Sequence, residues 1–272
     1  MVLKYLAKGI SEEVSNRLGK LVRTDKFSQA RVDCEAQRDL ALDAESFLRL
    51  APLAPVDLSR YQREAEQMIG EVTEESSEGI YKHIIGAERF SLAPGALFHE
   101  ALDDDLLAKV TAYFGARPLL HGARLLVTEP TGEAGIERDQ MWHRDRYDAS
   151  TLRLFIYLDE CALAQGPFRY LPRAQSDRLW RTLVSRVSDE YLDRRGDLNH
   201  TVEVVGSAGD RFVADVRKLV HCGSRITTGR RLVFNAIYTT PTPWKAPQMP
   251  AAMLDELLAL PLSDLQRSAL LR

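Results

Sequence analysis

Between residues 118 and 240 the chain is cut into short apolar runs, and that division limits its fold more than any other feature. The runs are "ARLLVTEP", "TLRLFIYLDE", "GPFRYLP", "TVEVVGS", "DRFVADVRKLVH" and "RRLVFNAIYTT", each bounded by Gly, Pro, Asp or Ser. Segments this short, rich in β-branched and aromatic residues and closed by turn formers, read as strands. Crowded together in sequence, they predict a double-sheet barrel. One stretch interrupts them: "AQSDRLWRTLVSRVSDEYLDR", residues 174–194, has the pattern of a helical insertion.

The flanks read as helical. Ser11, followed by Glu12, Glu13 and then Val14, Leu18, Leu21 and Val22, predicts a capped helix over 11–23. "DAESFLRLA" (43–51) and "SRYQREAEQMIGEV" (59–72) continue the helical pattern, and "TEESSEGIYK" (73–82) reads as a polar loop. Asp103 to Asp105 open a helix over 103–115, where carboxylates suit the positive end of the helix dipole. "AAMLDELLALPLSDLQRSALL" closes the chain as a terminal helix. Without a linker-like shift in composition, the sequence predicts one domain over 1–272. It has a mostly helical part over 1–117, a strand-rich core over 118–240 with its insertion near 174–195, and a helical tail over 241–272. The early helices are expected to cover the outer sheet.

Bulk properties exclude several classes. The 36 basic and 39 acidic residues give a net charge of −3 and form no basic tract, which argues against nucleic acid and anionic membrane as partners. No window approaches the roughly 18 consecutive apolar residues of a membrane span, and the N-terminus lacks an apolar signal region with a small-residue cleavage site. Cys34, Cys161 and Cys222 are odd in number and widely spaced, which suits a reducing compartment and a cytoplasmic location. G-x-S-x-G, G-x-x-x-x-G-K-[ST] and G-x-G-x-x-G are absent, so serine hydrolase, P-loop and Rossmann readings lack their usual support.

The chemistry starts in "DQMWHRDRYD", residues 139–148. In an extended segment residues i and i+2 point the same way, so His143 and Asp145 can offer an imidazole nitrogen and a carboxylate oxygen to one ion. Alone, such a pair is more often a surface feature. His221, at the end of "DRFVADVRKLVH" and before the small-residue turn "CGS", can supply a third ligand; His83, His99, His121 and His200 read as solvated or satisfied. Two histidines and one aspartate cap one face of an octahedral ion and leave the other face open, as in non-haem Fe(II) oxygenases, whereas zinc favours a tetrahedral set. A 2-oxo acid chelating at that open face needs a cationic fork for its far carboxylate, and Arg230 or Arg231 of "TTGRR" can be that fork. Adjacent strand residues face opposite ways, so only one of them can serve.

The segments "QMWHRD", "LRLFIYLDE", "GPFRYLP", "AGDRFVADVRKLVH" and "TTGRR" occur in an order and spacing that resembles the phytanoyl-CoA dioxygenase family of Fe(II)- and 2-oxoglutarate-dependent oxygenases. The likeness covers roughly residues 118–240. It implies a mainly β fold, a double-stranded β-helix or jelly roll of the cupin type, packed by N-terminal and C-terminal helices. It also implies iron held by His143, Asp145 and His221, and 2-oxoglutarate anchored by Arg231 in preference to Arg230, with Thr228, Thr227 and Ser224 as further candidates near the co-substrate carboxylate.

This chain has Arg-Ala-Gln after "GPFRYLP" where the family often has Gly-Ser-His, which alters the rim of the site. Asp145 fills a position that halogenating relatives leave small, so oxygenation is favoured over halogenation. The implied reaction consumes O2 and 2-oxoglutarate, releases succinate and CO2, and hydroxylates an unactivated C–H bond of a small molecule. Gln140 and Arg146 are candidates for substrate contact; Trp142 can line the pocket or pack in the core; Arg144, Arg169 and Arg173 flank the expected mouth. Two competing classes use the same residues: a non-catalytic binding protein of the same jelly-roll fold, and an unrelated zinc hydrolase.

Overall fold

A computed structural model of the chain describes residues 39–73, 81–130, 138–179, 186–223 and 225–271. The helix expected over 11–23, Cys34 and Ser224 lie outside them. The described chain runs α1 (Leu40–Glu45), β1 (Phe47–Leu50), α2 (Pro55–Gly70), β2 (His83–Gly86), α3 (Asp104–Phe114), β3 (Leu119–Thr128), β4 (Trp142–His143), β5 (Thr151–Tyr157) and β6 (Phe168–Tyr170). It continues with α4 (Arg173–Leu179), β7 (Arg186–Val187), α5 (Asp189–Asp193), β8 (Val202–Val204), β9 (Arg211–Asp215), β10 (His221–Cys222), β11 (Arg231–Thr239), α6 (Ala251–Leu258) and α7 (Asp264–Leu270). Two antiparallel sheets result: a major one ordered β1-β9-β5-β11-β3-β2 and a minor one ordered β7-β4-β10-β6-β8. The fold is a double-stranded β-helix with helical decoration.

Alternation along the major strands sorts the side chains into two cores. Leu152, Leu154 and Ile156 of β5 and Leu232, Phe234, Ala236 and Tyr238 of β11 face outward and pack with residues of α2, α3, α6 and α7. Phe155 and Tyr157 of β5 and Val233 of β11 face inward, against Phe168, Tyr170 and Val204 of the minor sheet. A third cluster, with Trp142, Leu179, Leu192 and Cys222, seals the outer face of the minor sheet beneath α4 and α5. The described N-terminal helices α2 and α3 thus contribute to the cover of the outer sheet.

Four elements depart from the sequence expectations, each for a local reason. The helical pattern over 43–51 stops at Glu45: Asp39 caps α1, Ser46 turns the backbone left-handed (φ 60°), and Phe47 to Leu50 pair with β9 while Phe47 stacks on Tyr170 at 4.9 Å. The insertion is not one helix; α4 and α5 flank β7, which pairs with β4 and extends the minor sheet. "DRFVADVRKLVH" is two strands in different sheets. The buried Asp215 carboxylate accepts from the amides of Arg217 (3.0 Å) and Lys218 (3.1 Å), so the chain can turn out of β9 and cross to β10 without stranding backbone donors. The tail breaks into α6 and α7 at Leu260–Pro261, because a residue before proline avoids the helical region, and Ser263 with Gln266 forms a capping box that restarts the helix.

Among the described residues no helix is long and apolar enough to cross a membrane. Cys161 and Cys222 are buried and free.

The fold depends on the outward face of β5. Leu154→Ala removes a fully buried side chain from the larger core and should cost about 2–5 kcal/mol, read as a lowered urea midpoint with an unchanged slope.

Candidate metal centre

The register of the minor sheet builds the centre. His143 on β4 lies opposite His221 on β10, and His221 lies opposite Tyr170 on β6. Residues directly opposite share a face, so both imidazoles project inward between the sheets. Their rings lie 4.3 Å apart, and both residues are buried. Asp145 follows the end of β4; its amide donates to the Val216 carbonyl at 3.0 Å, which draws the chain beside the crossover into β10.

The hydrogen bonds of the two histidines fix where their lone pairs point. His143 Nδ1 lies 2.8 Å from the Met141 carbonyl and His221 Nδ1 3.1 Å from the Leu219 carbonyl. A carbonyl can only accept, so each Nδ1 carries a proton and, in the neutral ring, each Nε2 presents a lone pair. Those two Nε2 atoms lie 3.5 and 4.0 Å from Asp145 Oδ1. Three acceptors therefore converge, with one ligand atom from each residue within 4.8 Å of the others. Such a set needs a cation, and two imidazole nitrogens with a carboxylate oxygen fit a divalent transition metal.

The electrostatics point the same way. Burial, reinforced by His143, pushes the His221 imidazole down to about 3. Burial opposes charge on His143 as well, but the hydrogen bond and charge of Asp145 outweigh it and raise its pKa. Burial opposes charge on the partly buried Asp145 too, yet Arg153 and then the two imidazoles hold its carboxyl well below the usual carboxylate range.

A cavity of about 480 Å³, counted out to its open mouth, opens beside the two histidines; Asp139, His143, Arg153, Phe168, His221 and Arg231 are part of its wall. Arg231 and Arg230 part company at the start of β11. Arg231 is buried, lines the cavity and donates through Nη1 to the Gly166 carbonyl. Gly166 has φ +63°, and a Cβ there would meet the Arg225 carbonyl carbon and the Ile226 nitrogen at 2.6 Å, so only glycine fits beneath that loop. Arg230 points away and joins Glu66 of α2 (2.6 Å) and Asp159 (2.8 Å).

Other candidates fall elsewhere. Thr227 and Thr228 are exposed and their amides bond to the Ala164 carbonyl. Gln140 is buried outside the cavity wall, with its carbonyl accepting from Arg225 Nε at 2.7 Å, and Arg146 is exposed. Trp142 is core, its indole donating to Asp189 at 2.6 Å. Arg144 bonds the Ser176 carbonyl, Arg169 pairs with Glu203 at 3.0 Å and Arg173 with Asp177 at 2.8 Å, and none of the three lines the cavity.

His99 and His200 are satisfied or exposed, whereas His121 is fully buried with no hydrogen-bond partner for either ring nitrogen. Burial, aided by Arg124, Arg153 and Lys245, pushes it down to about 4, so it is neutral.

Sequence reasoning missed Arg153 and Asp139. Arg153 Nη2 lies 2.5 Å from Asp145 Oδ2, and Asp139 Oδ1 lies 3.8 Å from His143 Nε2. Arg153 was visible in "TLRLFIY", where it alternates with Phe155 and Tyr157 against the leucines of the other face. Asp139 sits on an irregular turn and left no periodic signal.

No family model matches this chain, and no curated protein matches it in sequence. Solved structures do match. The non-heme alpha ketoglutarate dependent epimerase SnoN from nogalamycin biosynthesis aligns with a TM-score of 0.50 and 16% identity over 85% of this chain and 90% of its own. AviO1 from Streptomyces viridochromogenes Tue57 gives 0.53 and 22% over 82% and 100%. HygX from Streptomyces hygroscopicus, solved with nickel and 2-oxoglutarate bound, gives 0.50 and 16% over 76% and 86%.

The chain shares their fold. At these identities the likeness is one of architecture, and the chemistry of this chain has to be argued from its own donors.

A direct check is metal uptake. His143→Ala and His221→Ala should each lower Fe(II) affinity in anaerobic titration by more than about a hundredfold, beyond the 10–100-fold typical of an outer partner. The far-UV spectrum should stay that of the parent, because both rings stand at a cavity wall and not in the packed cores.

Proposed function

We propose that this protein is a non-haem Fe(II)- and 2-oxoglutarate-dependent dioxygenase that hydroxylates an unactivated C–H bond of a small molecule, releasing succinate and CO2. The observation that carries the reading is that three acceptors converge, and that the two histidines among them share one cavity wall with a buried arginine. His143, Asp145 and His221 would hold the iron, and Arg231 would receive the far carboxylate of 2-oxoglutarate through its planar fork. Bound iron and 2-oxoglutarate would supply the activation of O2. The apolar wall residues Leu126, Phe155, Phe168 and Val233 would shield the reacting face from water once substrate fills the cavity.

Kinship with the phytanoyl-CoA dioxygenase family belongs to the same reading and rests on the order of its motifs. Asp145 in place of a small residue supports oxygenation over halogenation. Hydroxylation is the simplest outcome for such a site; the structural neighbours include an epimerase and a carbocyclase. Free buried thiols at Cys161 and Cys222 agree with a cytoplasmic setting. A small-molecule partner, and not nucleic acid or membrane, belongs to the same reading.

Anaerobic mixing with Fe(II) and 2-oxoglutarate should produce a visible charge-transfer band that neither gives alone. Oxygen should then yield succinate, fastest with the right member of a small-molecule panel. A band without succinate across that panel would instead mark a binding protein of this fold. The anchor is tested separately: Arg231→Leu should weaken 2-oxoglutarate binding by on the order of 3 kcal/mol or more in calorimetric titration, since it leaves a buried carboxylate unpaired. Arg230→Leu should have only a modest effect. The reverse ranking would move the anchor.

A further inference from the structure

We propose that Arg153 is a positioning residue that limits Asp145 to one metal-binding oxygen and so keeps the neighbouring coordination position open for the 2-oxo acid. The inference rests on the metal and 2-oxoglutarate reading above and adds a residue that the metal-binding motif does not contain.

The two oxygens of Asp145 have separate surroundings. Oδ1 faces the Nε2 atoms of His143 and His221, at 3.5 and 4.0 Å. Oδ2 faces Arg153 Nη2 at 2.5 Å, and this is the one ion pair Arg153 makes among the described residues. The contact is close but off-line for a hydrogen bond, so charge more than direction holds the pair together.

Arg153 is fixed from behind. It stands on the inner face of β5, opposite Ala214 of β9 and Ile237 of β11, and its guanidinium lies over the Tyr147 ring at 5.4 Å. Tyr147 is itself anchored: its hydroxyl accepts from Arg124 Nη2 at 3.1 Å and its carbonyl from the Trp244 amide at 2.8 Å. A cation held by a central strand and a braced aromatic ring cannot follow the carboxylate if it rotates.

The consequence is chemical. Carboxylates bind metals through one oxygen or two, and the difference is small unless something else claims the second oxygen. A facial set of three ligands leaves three positions, and a chelating 2-oxo acid needs two of them. An Asp145 that closed onto the metal with both oxygens would take one. Arg153 opposes this twice: it occupies Oδ2, and its charge repels a dication approaching that oxygen.

The test uses the intact chain with Co(II) as the metal probe and 2-oxoglutarate as the second ligand, both followed by calorimetry and by the visible spectrum of Co(II). Arg153→Met should bind Co(II) as tightly as the parent or more tightly, yet bind 2-oxoglutarate at least about tenfold more weakly, within the range seen for partners of metal ligands. Its Co(II) spectrum before 2-oxoglutarate should differ from the parent's. Arg153→Lys, which keeps the charge, should recover most of the 2-oxoglutarate affinity. If Arg153→Met does not fold, Arg153→Gln is measured in its place with the same expected split.

Parent-like binding of both ligands in the variant overturns the proposal and leaves Arg153 a structural counter-ion. Loss of Co(II) by a folded variant also overturns it, because Arg153 would then serve metal retention and not the open position. A parent that binds neither Co(II) nor 2-oxoglutarate sinks the underlying functional reading, a failure seen without any variant.

Discussion

The organising constraint is a surplus of acceptors. His143 and His221 spend their Nδ1 protons on carbonyls two residues earlier in their own segments, so their two Nε2 atoms and a carboxylate oxygen meet in one largely buried space. Leaving such a cluster bare is expensive, since each buried acceptor without a partner forfeits its hydration. One cation resolves it. The surrounding structure supplies the remaining compensation through Arg153, which balances the carboxylate from the side away from the imidazoles.

Holding that cluster falls to strands that are too short to do it alone. β4 and β10 have two residues each, so their ladder contributes little rigidity. Stiffness comes from behind the sheet. Trp142 is fully buried, Asp189 receives its indole and both Nη groups of Arg225, and Arg225 Nε reaches the Gln140 carbonyl one turn before His143. The same network ties the loop that leads toward Arg231, which Gly166 allows to pass close overhead. The segment before His143 and the loop that leads toward Arg231 are thus braced by one connected set of contacts. This is the arrangement a preorganised site requires.

Much of the centre was legible in the sequence. His143 and Asp145 share a face by the two-residue period, and the order of the motifs brought His221 and Arg231 to the same place. The arginines read as a charged rim were legible only as charges: Arg169 and Arg173 are consumed by Glu203 and Asp177, and among the described residues the cations that reach the cavity are Arg153 and Arg231. In "TLRLFIY" the alternation placed Arg153 opposite the leucines, but nothing local said that its partner would be the Asp145 carboxylate eight residues earlier. The helical reading of 43–51 failed because the apolar spacing of Phe47, Leu48 and Leu50 serves a strand as well as a helix, and pairing with β9 decided between them.

The sequence by itself determined the class of fold and singled out His143, Asp145 and His221 as the candidate donors, because alternation, turn residues and ligand chemistry are local properties of the chain. Tertiary structure alone decided which way each charge faces. Arg230 and Arg231 are chemically identical neighbours, and the register of β11 between β3 and β5 sends one to Glu66 and the other into the cavity. The separate surroundings of the Asp145 oxygens have the same origin. They depend on a carboxylate after β4, beside the imidazoles of β4 and β10, meeting a guanidinium on β5 of the other sheet, a juxtaposition that exists only once the two sheets have closed on each other.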